Sequence, residues 1–434
     1  MNRRLDDQVK PVNVLLIAYG CEPGRGSEPG IGWNHLVETA RARPAFVITH
    51  PRHRDALEAG IADWNRSGQG FPIRAIYVDD DGPLKRLGEA GYMGFNLHYF
   101  RWGNAAMKAA ERLHDEVGIG LVQHVSLTRW WMPTPGYVLA KKGVPLIWGP
   151  MGAGECMPWS MRRGIGVRGH VTEWSRAAAR RIFGLDPRLK RCGRLTTLGL
   201  CEPRETVGRL ESIGVKRVER AATLPADLDQ MTDVEPMPKP PGTFRVVSGG
   251  GLVYWKCFDL SLRAFAESIG HKPNVEYVHA SGGQMMDKMR AIGDAAGLGE
   301  KLKLPGNMPH AQTLRWVKSA DVLVLPTLRD TTGHVYEALA CGIPVLTVDR
   351  LSCGAVVDET SGHRVPLEGG REGLTNGMAA TLRKWYDDPE LRKRLGEGAR
   401  KRADLYSLHA FGDRVRECQQ TALDLHAKQT VTAN

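Results

Sequence analysis

The run from Val322 to Val348, VLVLPTLRDTTGHVYEALACGIPVLTV, constrains the fold more than any other stretch of the chain. Val322 to Leu325 is a short apolar run that breaks at Pro326, and a polar loop, Arg329-Asp330-Thr331-Thr332-Gly333, follows. The spacing of Val335, Leu339 and Ala340 then predicts a helix, capped by Thr331 or Thr332 and ended by Cys341-Gly342, before Pro344 and a second apolar run, Val345 to Val348. Strand, loop, helix, strand is the unit of a parallel sheet. In such sheets ligands sit outside the carboxyl ends of the strands, where a helix N-terminus offers unpaired N–H groups to an anion. The loop after Pro326 is therefore the first candidate site.

The string EALACGIPV, Glu337 to Val345, resembles the signature of the retaining, nucleotide-sugar-dependent glycosyltransferases of glycosyltransferase family 4, whose fold is called GT-B. The resemblance implies that Glu337 holds the nucleotide ribose, whose two hydroxyls one carboxylate can accept. The family pattern has a second glutamate upstream with seven residues between. Here Arg329 stands at that spacing and the nearest acid, Asp330, is one residue closer, a shift that turns a side chain by roughly 100° near a helix start. After the strand Phe244 to Val247 the family carries G-R-L-x-x-x-K, whose arginine and lysine hold the donor diphosphate. Lys256 matches the lysine, and Gly251 stands where the arginine would be, with Arg329 as a candidate substitute. A buried diphosphate needs such cations and N–H donors. By the same resemblance Thr331, Thr332, Gly333 and His334 meet the diphosphate, and Gly282 and Asn307, in the turns after Val275 to Ala280 and Leu302 to Leu304, wall the base.

The first half starts similarly, with a strand, Val12 to Ala18, running into a glycine-rich turn and a helix that buries Leu36, Val37 and Ala40. Gly24, Gly26 and Gly30 miss the dinucleotide spacing and no acid closes the next strand, Phe46 to Thr49, which argues against NAD. The stretch GSEPGIGW is instead similar to the acceptor-side loop of certain family 4 enzymes, which assigns Gly26, Ser27 and Glu28 to the acceptor side. Further strands read at Ile73 to Val78, Leu121 to Val125 and Pro145 to Trp148. The last two, with His124 and the turn Gly149 to Glu155, resemble the HxV…WGPxGxGE pattern of the same subgroup. This implies that His124 lies near the donor sugar and that Glu155 lines the acceptor side.

At 434 residues the chain is too long for one ordinary core. The expected division is an N-terminal Rossmann-like acceptor domain, 1–230, a linker, 231–242, and a C-terminal Rossmann-like donor domain, 243–405, with a last helix, 406–434, packing back on the first. The prolines from Pro236 to Pro241 exclude helix or central strand from the linker. Eight scattered cysteines without metal spacing imply reduced thiols and no structural zinc. The apolar run Val12 to Ala18 is short, is separated from Arg3 and Arg4 by Asp6, Asp7 and Lys10, and lacks a small-x-small cleavage site, so it reads as a strand rather than a signal peptide, and no apolar run reaches the roughly 18 to 20 residues of a membrane span. A cytoplasmic location is expected.

A net charge of +11 draws the chain to polyanions. Much of it lies in residues 155–194, where ten Arg and Lys residues are interleaved with Trp159, Met161, Trp174, Ile182 and Phe183. This composition suits the anionic inner face of the cytoplasmic membrane, or else a merely solvated helix. No nucleic-acid motif accompanies it. The expected chemistry is sugar transfer, with retention, from a nucleotide-sugar donor to a sugar or lipid-linked acceptor in bacterial polysaccharide or glycolipid synthesis. Glu337, Lys256 and His124 would carry it, without metal or further cofactor. Another GT-B enzyme, such as a sugar epimerase, and a non-enzymatic polyanion-binding protein remain as alternatives.

Overall fold

The computed structural model describes residues 11–79, 91–152, 156–226, 228–329 and 332–433. Two parallel sheets organise it. The first unit runs β1 Asn13–Ala18, α1 Ser27–Ala40, β2 Ala45–Thr49, α2 Arg54–Ser67, β3 Ile73–Tyr77, α3 Gly91–Val117 and β4 Ile119–Ser126. It continues through α4 Tyr137–Ala140, β5 Leu146–Met151, α5 Gly166–Gly184, α6 Pro187–Leu195, β6 Leu198–Cys201, α7 Arg204–Ser212 and β7 Val218–Arg220. After α8 Leu228–Asp233 the second unit runs β8 Phe244–Ser248, α9 Phe258–Ser268, β9 Val275–His279, α10 Met286–Ala295, β10 Leu302–Lys303, α11 His310–Lys318 and β11 Val322–Leu325. It ends with α12 Gly333–Ala340, β12 Val345–Val348, α13 Leu351–Val356, β13 Gly362–Val365, α14 Gly370–Asp387, α15 Pro389–Ala403 and α16 Leu408–Ala433.

The strand orders are β3-β2-β1-β4-β5-β6-β7 and β10-β9-β8-β11-β12-β13. Each order reverses once, between β1 and β4 in the first sheet and between β8 and β11 in the second. At such a switch point neighbouring loops diverge and leave a crevice. The loops that leave β8 and β11 carry Gly249 to Lys256 and Pro326 to Thr332, so the chain topology itself brings the two principal candidate segments together.

Burial explains why these runs are strands. β1, β11 and β12 carry almost wholly buried apolar side chains on both faces, which a sheet covered by helices on each side requires. The helix α12 buries Val335, Tyr336, Ala338 and Leu339, and Gly342, at φ +70°, turns the chain at its end. Thr332 stands at the N-cap of α12 but makes no side-chain capping bond, contrary to the expectation from sequence. Thr331 lies outside the described residues.

Between the units the proline-rich stretch is preceded by the short helix α8, whose end, through Asp233, falls inside the expected linker. The linker is fastened to the second sheet by Arg245. This wholly buried guanidinium donates to the carbonyls of Met237 (3.1 Å) and Pro238 (2.8 Å) and to Ser319 Oγ, and it pairs with Glu276. The last helix, α16, returns to the first unit: Arg416 pairs with Glu38 of α1, and Gln419 donates to Thr39 at 2.7 Å. Replacing Arg245 by Met leaves the linker carbonyls without donors and Glu276 with Lys303 as its cation. The expected loss is about 3 kcal/mol of stability, read as a lower urea midpoint at unchanged slope, with earlier proteolysis near Met237. A wild-type midpoint would show that Arg245 does not anchor the linker.

Candidate functional site

The geometry of the second unit's switch point starts with its glycines. Gly250 has φ +95°, and a Cβ on it would lie 2.6 Å from Lys256 Nζ; a Cβ on Gly249 would lie 3.2 Å from the His334 imidazole. The absence of side chains therefore lets a lysine from the end of the β8 loop and a histidine from the first turn of α12 close on the same stretch of backbone. His279, at the end of β9, fixes that stretch. Its Nδ1 accepts from Ser248 Oγ at 2.8 Å and its Nε2–H donates to the Gly250 carbonyl at 3.0 Å, and burial holds it neutral, its pKa pushed down to about 3. The neighbouring turn is joined to this loop: Asn307 accepts from the Gly282 N–H at 2.9 Å, and the Gly282 carbonyl accepts from Leu252 N–H at 2.8 Å. Gly282 and Asn307 thus stand beside the glycine loop.

Glu337 is held by two imidazoles. His334 Nδ1 lies 2.6 Å from one carboxylate oxygen and His310 Nε2 lies 3.2 Å from the other. Burial alone would raise the pKa of this carboxyl; the charge of His334 and the hydrogen bonds from both rings outweigh burial and hold it at about 2. Lys256 is largely buried, which lowers its pKa, and among the described residues no carboxylate pairs with it. A desolvated cation, an ionised carboxylate and the start of α12 therefore face one crevice. This set can hold a ligand with an anionic part, for Lys256 and the free N–H groups of the helix start, and a hydroxyl-bearing part, for Glu337.

The other expected residues lie in different surroundings. His124 is 2 % exposed, its Nε2 shares a hydrogen bond with Tyr99 Oη at 2.9 Å, and burial drives its pKa down to about 3. It lies on the side of the sheet that packs beneath α3, the side that Val122 also takes, because alternate residues of a strand point to opposite faces. Arg329 does not replace the absent arginine: its guanidinium pairs with Glu173 of α5 and lies over the Trp255 ring at 4.4 Å. Gly251 is exposed with no atom within 4 Å of a Cβ, so the position of that arginine is open space.

In the first unit Gly26 is the N-cap of α1, Ser27 its first residue, and Glu28 turns inward to accept the Leu127 N–H at 2.6 Å. Glu155, Asp330 and Thr331 lie outside the described residues. The sequence reading did not find His279, His310 or Glu173. Each sits in a different element from its partner, and no local spacing signals them. Among the described residues no three His, Cys, Asp or Glu side chains gather as metal ligands.

Set against known proteins, this architecture is that of the GT-B glycosyltransferases, and residues 229–402 match the family of glycosyl transferases group 1. The match covers the whole switch-point site of the second unit. A D-inositol 3-phosphate glycosyltransferase from Thermobispora bispora is 28% identical over 196 residues, 41% of this chain and 44% of the relative, so the chain spans less than half the length of the curated relatives it matches. A sucrose-phosphate synthase from Thermosynechococcus elongatus superposes with a TM-score of 0.62 at 16% identity, covering 98% of this chain and all of the other. The Anabaena protein HepE, solved with UDP, superposes with a TM-score of 0.60 at 13% identity over 94% of this chain and 98% of that one.

The His310 contact has a pH signature. Its hydrogen bond to Glu337 raises its pKa above the ordinary 6.5, so the stability it contributes is fully present below pH 6.5 and is lost as pH rises through the raised value. The urea stability difference between wild type and His310→Asn should be largest near about pH 6 and shrink toward about pH 9. A difference that ignores pH would show that the contact is not ionic.

Proposed function

We propose that this chain is a glycosyltransferase that moves a sugar from a nucleotide-sugar donor, held in the second unit, to a hydroxyl of a sugar or lipid-linked acceptor presented by the first. The observation that carries this reading is the convergence of the ionised Glu337, the desolvated Lys256 and the N-terminus of α12 on the glycine loop after β8. Glu337 accepts the ribose hydroxyls. Lys256 and the N–H groups of Gly333 and His334 take the diphosphate and stabilise the charge it gains when the anomeric C–O bond breaks. The acceptor oxygen forms the new bond and gives up its proton, and the nucleoside diphosphate leaves. Retention at the anomeric carbon rests on the family 4 resemblance and is read from the product. The matched family, and a superposed protein solved with UDP, support a nucleotide-linked donor.

Glu337→Ala and Lys256→Ala should each lower kcat/KM at least about tenfold, or about 1.4 kcal/mol, through loss of charge-assisted contacts. The assay is a panel of UDP-, GDP- and ADP-sugars with product identification. Normal kinetics in both folded variants would remove the donor-site assignment, and conversion of the donor sugar without transfer would identify an epimerase.

The same reading includes an anionic membrane as the surface on which a lipid-linked acceptor is met. On α5 the residues Val167, Val171, Trp174 and Ile182, with Leu185 at its C-cap, fall within an arc of about 80° at 100° per residue, and all are more than half exposed. Trp159, also exposed, meets Trp174 edge to face at 6.4 Å, and Arg163, Arg168 and Arg181 are exposed nearby. Not every arginine of the segment is available: Arg176 lies over Tyr92 at 4.6 Å and Arg188 chelates Asp186. Co-sedimentation with anionic vesicles should fall as salt shrinks the Debye length from about 30 Å at 0.01 M to about 8 Å at 0.15 M. It should fall further in an Arg168→Gln/Arg181→Gln/Trp174→Ser protein. Equal binding to neutral vesicles, or none to anionic ones, would remove the membrane.

A further inference from the structure

Away from the glycine loop, a cavity of about 570 Å³ opens where the turn before α5 meets the first turns of α9 and α14. That volume suits one small ligand. Both units line it, and the charge is lopsided: Arg163 from the first unit and Arg263, Lys288 and Arg371 from the second, against Asp259 and Glu372. Lys288 and Arg371 share one carboxylate oxygen, Asp259 Oδ2, at 2.7 and 2.6 Å. The other oxygen of that buried carboxylate has no hydrogen-bond partner. Arg163 and Arg263 are exposed and, among the described residues, neither forms a hydrogen bond or an ion pair.

The backbone adds to this. Gly369 and Gly370, at φ +85° and +62°, fold the start of the 18-residue helix α14 against the first unit so closely that a Cβ on Gly370 would lie 2.9 Å from the Ser160 carbonyl. The N–H groups of Arg371 and Glu372, in the first turn of α14, therefore lie beside a cavity lined from both units, in which Lys288 and Arg371 are held on Asp259 while Arg163 and Arg263 have no such carboxylate. Like charges brought together across a seam repel unless an anion lies between them.

We propose that this cavity is a binding site for a phosphoryl group, separate from the donor site, whose ligand bridges the two units through Arg163 and Arg263. A ligand that binds only the joined units stabilises that arrangement by mass action. The phosphoryl group has two chemical sources, a free phosphorylated metabolite or an anionic lipid headgroup, and they are separable.

The test uses the full chain carrying Lys256→Ala, which weakens phosphate binding at the glycine loop, and titrates it calorimetrically with inorganic pyrophosphate. Adding Arg163→Gln and Arg263→Gln should weaken the remaining binding at least about tenfold, while Arg163→Lys with Arg263→Lys should keep most of it. Circular dichroism melting establishes that each variant is folded. No binding in the Lys256→Ala protein, or binding that the glutamine pair leaves unchanged, overturns the proposal. Glucose 6-phosphate and vesicles containing phosphatidic acid are then compared. Dependence on the arginine pair with the sugar phosphate identifies a soluble ligand, dependence with vesicles alone identifies a headgroup, and dependence with neither overturns the proposal. Because the donor-site residue is already altered in every arm, failure of the sugar-transfer reading would not change these results.

Discussion

The arrangement of the two sheets rests on one carboxylate without access to water. Glu173, on the inner face of α5, is wholly buried; it accepts the Met157 N–H at 2.9 Å and the Tyr254 hydroxyl at 2.9 Å, and it pairs with Arg329. Tyr254 and Arg329 belong to the second unit, in the loops leaving β8 and β11. A buried carboxylate is tolerated only when its oxygens are satisfied, so Glu173 has a place to be only when the two units are together. Its position also decides two other matters. It takes Arg329 away from the glycine loop after β8, and by committing the inner face of α5 to the second unit it leaves the apolar stripe of Val167, Val171 and Trp174 on the outer face.

A parallel contact acts on α12 itself. Tyr336, next to Glu337, reaches Glu202 of the first unit, whose other oxygen accepts from Thr223 at 3.2 Å. Burial raises the Tyr336 pKa well above its ordinary value, with the charge of Glu202 acting in the same direction, so the phenol stays a donor. The helix that carries Glu337 is thus positioned from both sides: by packing of Val335 and Leu339 on its own sheet and by a hydroxyl bound to the other unit.

Much of this was legible in the sequence, for identifiable reasons. β11 and β12 fall at the residues expected because short, largely apolar runs, one ended by Pro326 and the other begun after Pro344, leave one reading. Glu337 and Lys256 face one crevice because each follows a strand beside the switch point, and strand order fixes where those loops leave. The residues that orient them could not be read. His310 meets Glu337 only because α11 and α12 lie side by side, and His279 meets Gly250 only because β9 pairs with β8. The surroundings of His124 could not be read for a related reason: the motif names the strand, but which face a residue takes depends on what packs over it, here Tyr99. β6 and β7 went unread because short runs after a basic stretch lack a period long enough to register.

The chain passes between its two units twice, once after β7 and again before α16, and the two passages touch. Ala226 donates its N–H to the Tyr406 carbonyl at 2.6 Å and pairs with Ser407 as an isolated parallel bridge. Two covalent tethers joined side by side have little freedom to slide past one another or to twist independently, but they bend together about the line that crosses them. A displacement of one sheet against the other therefore has to deform both crossings at once, and it has to break the contacts of Glu173 with Arg329 and Tyr254 as it does so.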